Sequence, residues 1–279
     1  MSRKPQRRLA HAVPAVAIAL ALLPGAASAN EDVPSSWAMG QTLYAYATGT
    51  APAEGLTGCP LTTDSSQQCD LAEAIVLAKP GTTVALATPP TVADYVGNWA
   101  VGWDLSLARR AGPVTIEPAP GVTGPVLSGN YGHHDGCQTG TCRGPVLRVE
   151  GTATVRLFGI DINDAQDTTG LYGYSDQNAF GGAISDDGTG LLIISGCTFS
   201  RDIAGEPGGM NGEDIGNGGA IANVGVAPII ISRSTFAYDS AGLADGGAIY
   251  NDFGTVDITG STFHGDRAGM GGAIKNTTS

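Results

Sequence analysis

Apolar residues alternate with other residues in short runs through the second half of the chain: Leu192 and Ile194, Ile229 and Ile231, Val256 and Ile258. A period of two predicts strands with one buried face. The runs are β-branched and are separated by Gly, Asp and Asn, which favours short strands joined by turns. No sustained helical period crosses this region. The alternation sits inside a repeated word. Gly-Gly-Ala-Ile begins at Gly181, Gly218, Gly246 and Gly271, and Asp186, Asn223, Asn251 and Asn276 follow one residue after it. Thr-Phe recurs at Thr198-Phe199, Thr235-Phe236 and Thr262-Phe263, which is 17, 17 and 16 residues past the first glycine. The copies start 25 to 37 residues apart. A constant inner spacing at that period means a solenoid, and parallel strands without intervening helices mean a β-helix coil.

The coils can then be read as columns along the axis. Phe199, Phe236 and Phe263 should stack inside, one coil above the next at roughly 4.8 Å, with Ile162 extending the column. Ala204, Ala241 and Ala268 form a second column, each followed by glycine. Asn223, Asn251 and Asn276 form a third, where stacked amides can hydrogen-bond along the axis. All of these read first as structural positions, because a side chain filling a core column cannot also meet a ligand.

The words Gly-Gly-Ala-Ile-x-Asn and Thr-Phe-x-x-Asp-x-Ala-Gly resemble the repeats of right-handed parallel β-helix proteins related to the polymorphic outer membrane proteins. That family usually carries Asn where this chain has Asp202, Asp239 and Asp266. The segment from Cys69 to Ile75, followed by Lys79 to Val84, is similar to the start of many secreted pectin-lyase-like β-helices. The resemblance spans roughly 40–279. It implies an all-β, right-handed parallel β-helix and leaves activity open, because the fold hosts lyases, hydrolases, adhesins and passive stalks.

Before the coils, Asp70 and Glu73 make a capping box, Leu71, Ala74, Ile75 and Ala78 share a face, and Pro80-Gly81 ends the run. A helix over 70–78 is expected to cover the open N-terminal end of the solenoid. The alternating segment from Leu43 to Ala47 reads as an edge strand within a lead-in over 30–68, and the β-helix domain then occupies 69–279, with coils from about Thr82. Gly-Pro-Val at 112, 124 and 144 marks irregular early coils, and the insertions 88–110, 129–143, 163–180 and 203–217 are expected to leave the coil as loops. The last copy runs from Gly271 to Ser279 without a Thr-Phe word. The C-terminal end therefore reads as an incomplete coil, belonging to a longer protein or open to self-association through its bare edge.

Composition adds the compartment. Residues 1–29 read as a secretory signal, with Arg3, Lys4, Arg7 and Arg8, an apolar core from Ala12 to Leu23, and cleavage after Ala29. That core is too short to span a bilayer, so the mature chain is expected to be secreted or at the cell surface without membrane insertion. Removing those four cations takes the formal charge from −12 to −16, which disfavours nucleic acid and anionic membranes as partners and favours cations. Cys59 with Cys69, and Cys137 with Cys142, are expected to pair in an oxidising compartment. Cys197 aligns with Ser234 and Ser261, so it reads as an inert buried thiol.

The column Asp202, Asp239, Asp266 is the main place for chemistry. Stacked like charges repel by roughly 1 kcal/mol per pair even in water. Three remedies stay open: solvation at Asx turns, a hard cation such as Ca²⁺ held by successive carboxylates, or proton abstraction assisted by Arg201 and Arg267. The last is what the resemblance to pectate lyases implies, although their motifs are not matched. His133-His134-Asp135 reads as a solvated loop, Asp186-Asp187 as the Asn-column position and its turn, and the sequon at Asn276 as structural. Calcium is thus the one cofactor suggested. The function expected is a non-catalytic, adhesin-like scaffold presenting loops to a carbohydrate or cell-surface ligand. The alternative is a polysaccharide lyase or glycoside hydrolase, which would need two catalytic groups within a loop-walled groove.

Overall fold

The computed structural model describes residues 42–47, 69–78, 81–96, 99–101, 103–104, 109–110, 114–129, 144–167, 179–205 and 216–277, all within one compact unit that spans 38–279. The architecture is all-β, built on three long parallel sheets, and is consistent with a parallel β-solenoid. The first sheet stacks Thr42–Ala45, Thr83–Leu86, Val114–Pro118, Val155–Phe158, Leu192–Ser195, Ile229–Ser232 and Val256–Thr259. The second stacks Tyr95–Val96, Val126–Ser128, Asp161–Asn163, Thr198–Ser200, Thr235–Ala237 and Thr262–His264. The third stacks Trp99–Val101, Leu147–Val149, Ile184–Asp186, Ile221–Asn223, Ile249–Asn251 and Ile274–Asn276. From Thr83 on, the chain visits first, second and third sheets in that order, so each coil adds one strand to every sheet.

The register follows the repeated words. Leu192 pairs with Ile229 and Ile229 with Val256, while Ile184, Ile221, Ile249 and Ile274 align in the third sheet. Alternate residues point inward, so Leu192, Ile194, Ile229 and Ile231 are buried and their neighbours Ile193 and Ile230 are not. The aromatic column forms as expected: Phe199 to Phe236 and Phe236 to Phe263 are both stacked, with ring centroids 4.7 Å apart and planes 3° from parallel. Ile162 pairs with Phe199 and continues the column.

The Gly-Gly word has two separate steric causes. The first glycine has φ of +69°, +71°, +69° and +64° at Gly181, Gly218, Gly246 and Gly271, a left-handed turn that disfavours other residues. The second glycine lies against the next coil. A Cβ on Gly182 would stand 2.5 Å from the carbonyl oxygens of Gly219 and Ile203.

Before these coils, helix α1 (Leu71–Leu77) is capped by Asp70, whose Oδ1 accepts the Glu73 N–H at 2.7 Å. Leu71 and Ala74 are buried, and α1 packs on the Thr42–Ala45, Thr83–Leu86 and Trp99–Val101 strands. The Thr42–Ala45 strand is the outermost of the first sheet. Two expected loops are corrected. Within 88–110, Tyr95–Val96 pairs with the second sheet and Trp99–Val101 with the third, while Trp103–Asp104 and Arg109–Arg110 pair antiparallel. Within 163–180, Gln166–Asp167 pairs with Ile203–Ala204 and Ala179–Phe180 with Gly216–Asn217, so the chain keeps contact with the coil at both ends of the insertion. Among the described residues no helix is long and apolar enough to cross a membrane.

Candidate functional site

The aspartate column sits where the chain leaves the second sheet. A left-handed residue precedes each rung: Asp164 at φ +49°, Arg201 at +58°, Tyr238 at +61° and Gly265 at +74°. After that bend the next residue faces the interior, which places Ala165, Asp202, Asp239 and Asp266 in one row. Asp202 and Asp239 are 0% exposed, and Asp266 is half-buried. Each carboxylate reaches back one coil. Asp202 Oδ1 accepts the Ala165 N–H, Asp239 Oδ1 that of Asp202, and Asp266 Oδ1 that of Asp239, all at 3.0 Å. The reading of these residues as solvated turns bonded to their own backbone is therefore overturned. All three are links between coils, buried at Asp202 and Asp239 and half-buried at Asp266.

The second oxygen of each carboxylate has no such use. Oδ2 of Asp202, Asp239 and Asp266 is buried with no hydrogen-bond partner. Burial, then the charge of Asp239, raises the Asp202 carboxyl well above its ordinary value. Burial likewise pushes Asp239 up to about 8, and it raises Asp266. The physical cause is common to all three, and weaker at the half-buried Asp266: a carboxylate withdrawn from water loses hydration and keeps one oxygen without a donor. Protonation relieves this, as would a cation between rungs. Among the described residues no group of three or more His, Cys, Asp or Glu side chains is placed to hold a metal ion.

The two flanking arginines do different things. Arg201 Nε and NH2 donate to Asp164 Oδ1 and Oδ2, both at 2.7 Å, in a bidentate pair on the surface. That bond raises the Arg201 pKa further. Arg267 is exposed and aligned with Ser240 through backbone pairing. The Asp164 partner was missed in the sequence, although the 37-residue offset that aligns Asp161 with Thr198 also aligns Asp164 with Arg201.

The asparagine column is a working ladder. Asn223 Nδ2 donates to Asn251 Oδ1 at 2.8 Å and to the Ala227 carbonyl at 2.8 Å. Asn251 Nδ2 donates to Asn276 Oδ1 at 2.6 Å and to the Gly254 carbonyl at 2.7 Å. Asp186 occupies the same row, paired with Asn223. The small-residue column is also present: Ser234 Oγ accepts the Cys197 N–H at 3.2 Å, and Ser261 Oγ accepts that of Ser234 at 3.1 Å. Cys197 is a buried free thiol, and burial pushes it up to about 11, away from thiolate chemistry.

Cys59, Cys137, Cys142, His133, His134 and Asp135 lie outside the described residues, as does the segment 1–29. Cys69 is buried beside α1. Comparison with protein-family models, with curated proteins and with solved structures found no match.

Proposed function

We propose that the protein is an exported, non-catalytic β-helix scaffold, adhesin-like, that presents its loops at the cell surface or in the surrounding medium. One observation carries this reading. The residues that look most like an active site, Asp202 and Asp239, have no exposed surface and bond backbone N–H groups of the preceding coil. A sealed carboxyl cannot touch a dissolved polymer, so the polar columns serve to lock coil to coil. The exposed Arg267 and the surface pair of Arg201 with Asp164 fit recognition of a carbohydrate or other cell-surface ligand rather than bond cleavage. Export rests on the basic and apolar pattern of residues 1–29. A right-handed coil rests on the strong preference of parallel crossover connections for that hand, and on the resemblance to polymorphic-outer-membrane-protein and pectin-lyase-like repeats. Helix α1 would then cap the N-terminal end.

Glycan-array binding run beside an unsaturated-product assay on acidic polysaccharides tests this. Binding without product supports the scaffold. Turnover that survives purification and is lost in Asp202→Asn or Asp239→Asn would establish the lyase instead.

A further inference from the structure

The amide ladder has a direction, and its first rung has the wrong side chain. Asn223 and Asn251 each donate from Nδ2 to the coil after, and Asn251 and Asn276 each accept on Oδ1 from the coil before. By that pattern Asn223 Oδ1 should receive a proton from the preceding coil. The residue there is Asp186, 0% exposed and in register with Asn223. Asp186 Oδ1 accepts the Gly188 N–H at 2.9 Å. Asp186 Oδ2 and Asn223 Oδ1 are both buried and both lack a partner. On the other side the neighbour in register is Val149, which offers only hydrocarbon. Two bare acceptors thus occupy the place where every later rung has a donor and an acceptor.

We propose that Asp186 is a carboxylic acid in the folded protein and donates its proton from Oδ2 to Asn223 Oδ1, which makes it the first rung of the ladder and a pH-sensitive link between two coils. One proton resolves both orphaned atoms without moving any other group. Removing it leaves a carboxylate facing a carbonyl oxygen inside the core, which is repulsive.

The charged surroundings favour the acid. On the Leu147–Val149 side stand Arg148 and Glu150, which pair with each other at 3.9 Å. The turn of Asp186 itself carries Asp187, whose carboxyl is raised by burial against the opposing charge of Arg148. The Ile221–Asn223 side contributes no titratable group. Burial first, then the Asp187 charge, against the Gly188 hydrogen bond, pushes Asp186 up from 3.8 to about 7. A folded value above the unfolded one means that this stabilisation is complete below about pH 4 and is lost as pH rises toward 7.

The test compares the parent with Asp186→Asn, which carries the side chain that the next three coils already use. Below pH 4 the two should melt alike. At pH 8 the variant should have a folding equilibrium constant larger by roughly a hundredfold to a thousandfold. The other buried acids are shared by both proteins, so the difference isolates Asp186. Carbon-13 detection of the Asp186 carboxyl in the parent gives an independent readout, and it should titrate near neutrality. Amide exchange at Ile221 and Asn223, corrected for its intrinsic pH dependence, should speed up through the same range in the parent only. A stability gap of equal size at pH 4 and pH 8, or a carboxyl that titrates in the ordinary aspartate range, would overturn the proposal.

Discussion

The asparagine column and the aspartate column occupy two turns of the same coils, and Asn223, Asn251, Asp202 and Asp239 are all buried, yet only the asparagines bond to one another from rung to rung. Asn223 and Asn251 give two donor bonds each and pass the pattern down the axis. Asp202, Asp239 and Asp266 each hold one backbone N–H and leave Oδ2 bare. The difference is chemical. An amide is its own complement, with a donor at one end and an acceptor at the other, so a stack of amides is a chain of hydrogen bonds. An ionised carboxylate only accepts, so a stack of carboxylates must borrow donors from the backbone and must shed charge to be buried. Repetition of one residue along a solenoid stabilises it only when that residue can bond to a copy of itself.

The apolar column sets the scale against which both are measured. Phe236 is stacked between Phe199 and Phe263 and is 0% exposed. Phe236→Ala should destabilise by roughly 3–5 kcal/mol in chemical denaturation. Asn251→Ala comes next. It strips the acceptor from Asn223 Nδ2 and the donors from Asn276 Oδ1 and the Gly254 carbonyl, so a loss of roughly 2–4 kcal/mol is expected, independent of pH. A loss under half a kcal/mol would mean that the amide chain is ornamental and the contrast with the aspartates is empty.

Asp239→Asn turns one column into the other. The amide oxygen can still accept the Asp202 N–H, and no charge is buried. The native Asp239 carboxyl is raised to about 8 from 3.8, so its stabilising contribution is present below about pH 4 and is lost as pH rises through 8. The variant should therefore match the parent in acid and exceed it by roughly 1–3 kcal/mol at pH 8. A variant less stable than the parent at pH 8 would show that the charge is in use, as it would be with a cation between rungs. Calcium then separates the cases. It should leave the melting temperature of the parent unchanged, whereas a rise that disappears when Asp202, Asp239 and Asp266 all become Asn would establish the cation site.

The contrast between the columns was only half legible in the sequence. The Asn ladder could be foreseen because its rungs follow a fixed word, Gly-Gly-Ala-Ile, whose strand sets their direction. The Phe stack and the Asp70 cap were legible for the same reason: each depends on local spacing. The burial of the aspartates was not. Their inward turn is made by a left-handed residue that is Asp, Arg, Tyr or Gly in successive coils, so no residue type announces it. The strands at Tyr95–Val96 and Trp99–Val101 were hidden because they are two and three residues long and carry no repeated word. The Arg201–Asp164 pair joins residues 37 apart and exists only through the register of two coils.

The smallest expected effect belongs to the third polar column, which lies between the other two in character. A hydroxyl donates and accepts, so it can serve a stack as an amide does, but it reaches only its own turn and the N–H of the coil before. Ser234 does both: its Oγ donates to the Ser232 carbonyl at 2.9 Å and accepts the Cys197 N–H. Cys197 holds the same place with a weaker donor, its Sγ lying 3.6 Å from the Ser195 carbonyl. Cys197→Ser exchanges a buried thiol for the group its neighbours already carry. The gain of a better hydrogen bond offsets the loss of a larger, less polar atom, so the net change should stay within about 1 kcal/mol. The same environment predicts that a thiol reagent labels Cys197 only as fast as the coil opens, because the thiol is sealed and pushed up to about 11. Labelling of the folded protein at the rate of a free thiol would mean that these coils part far more readily than their stacked columns imply.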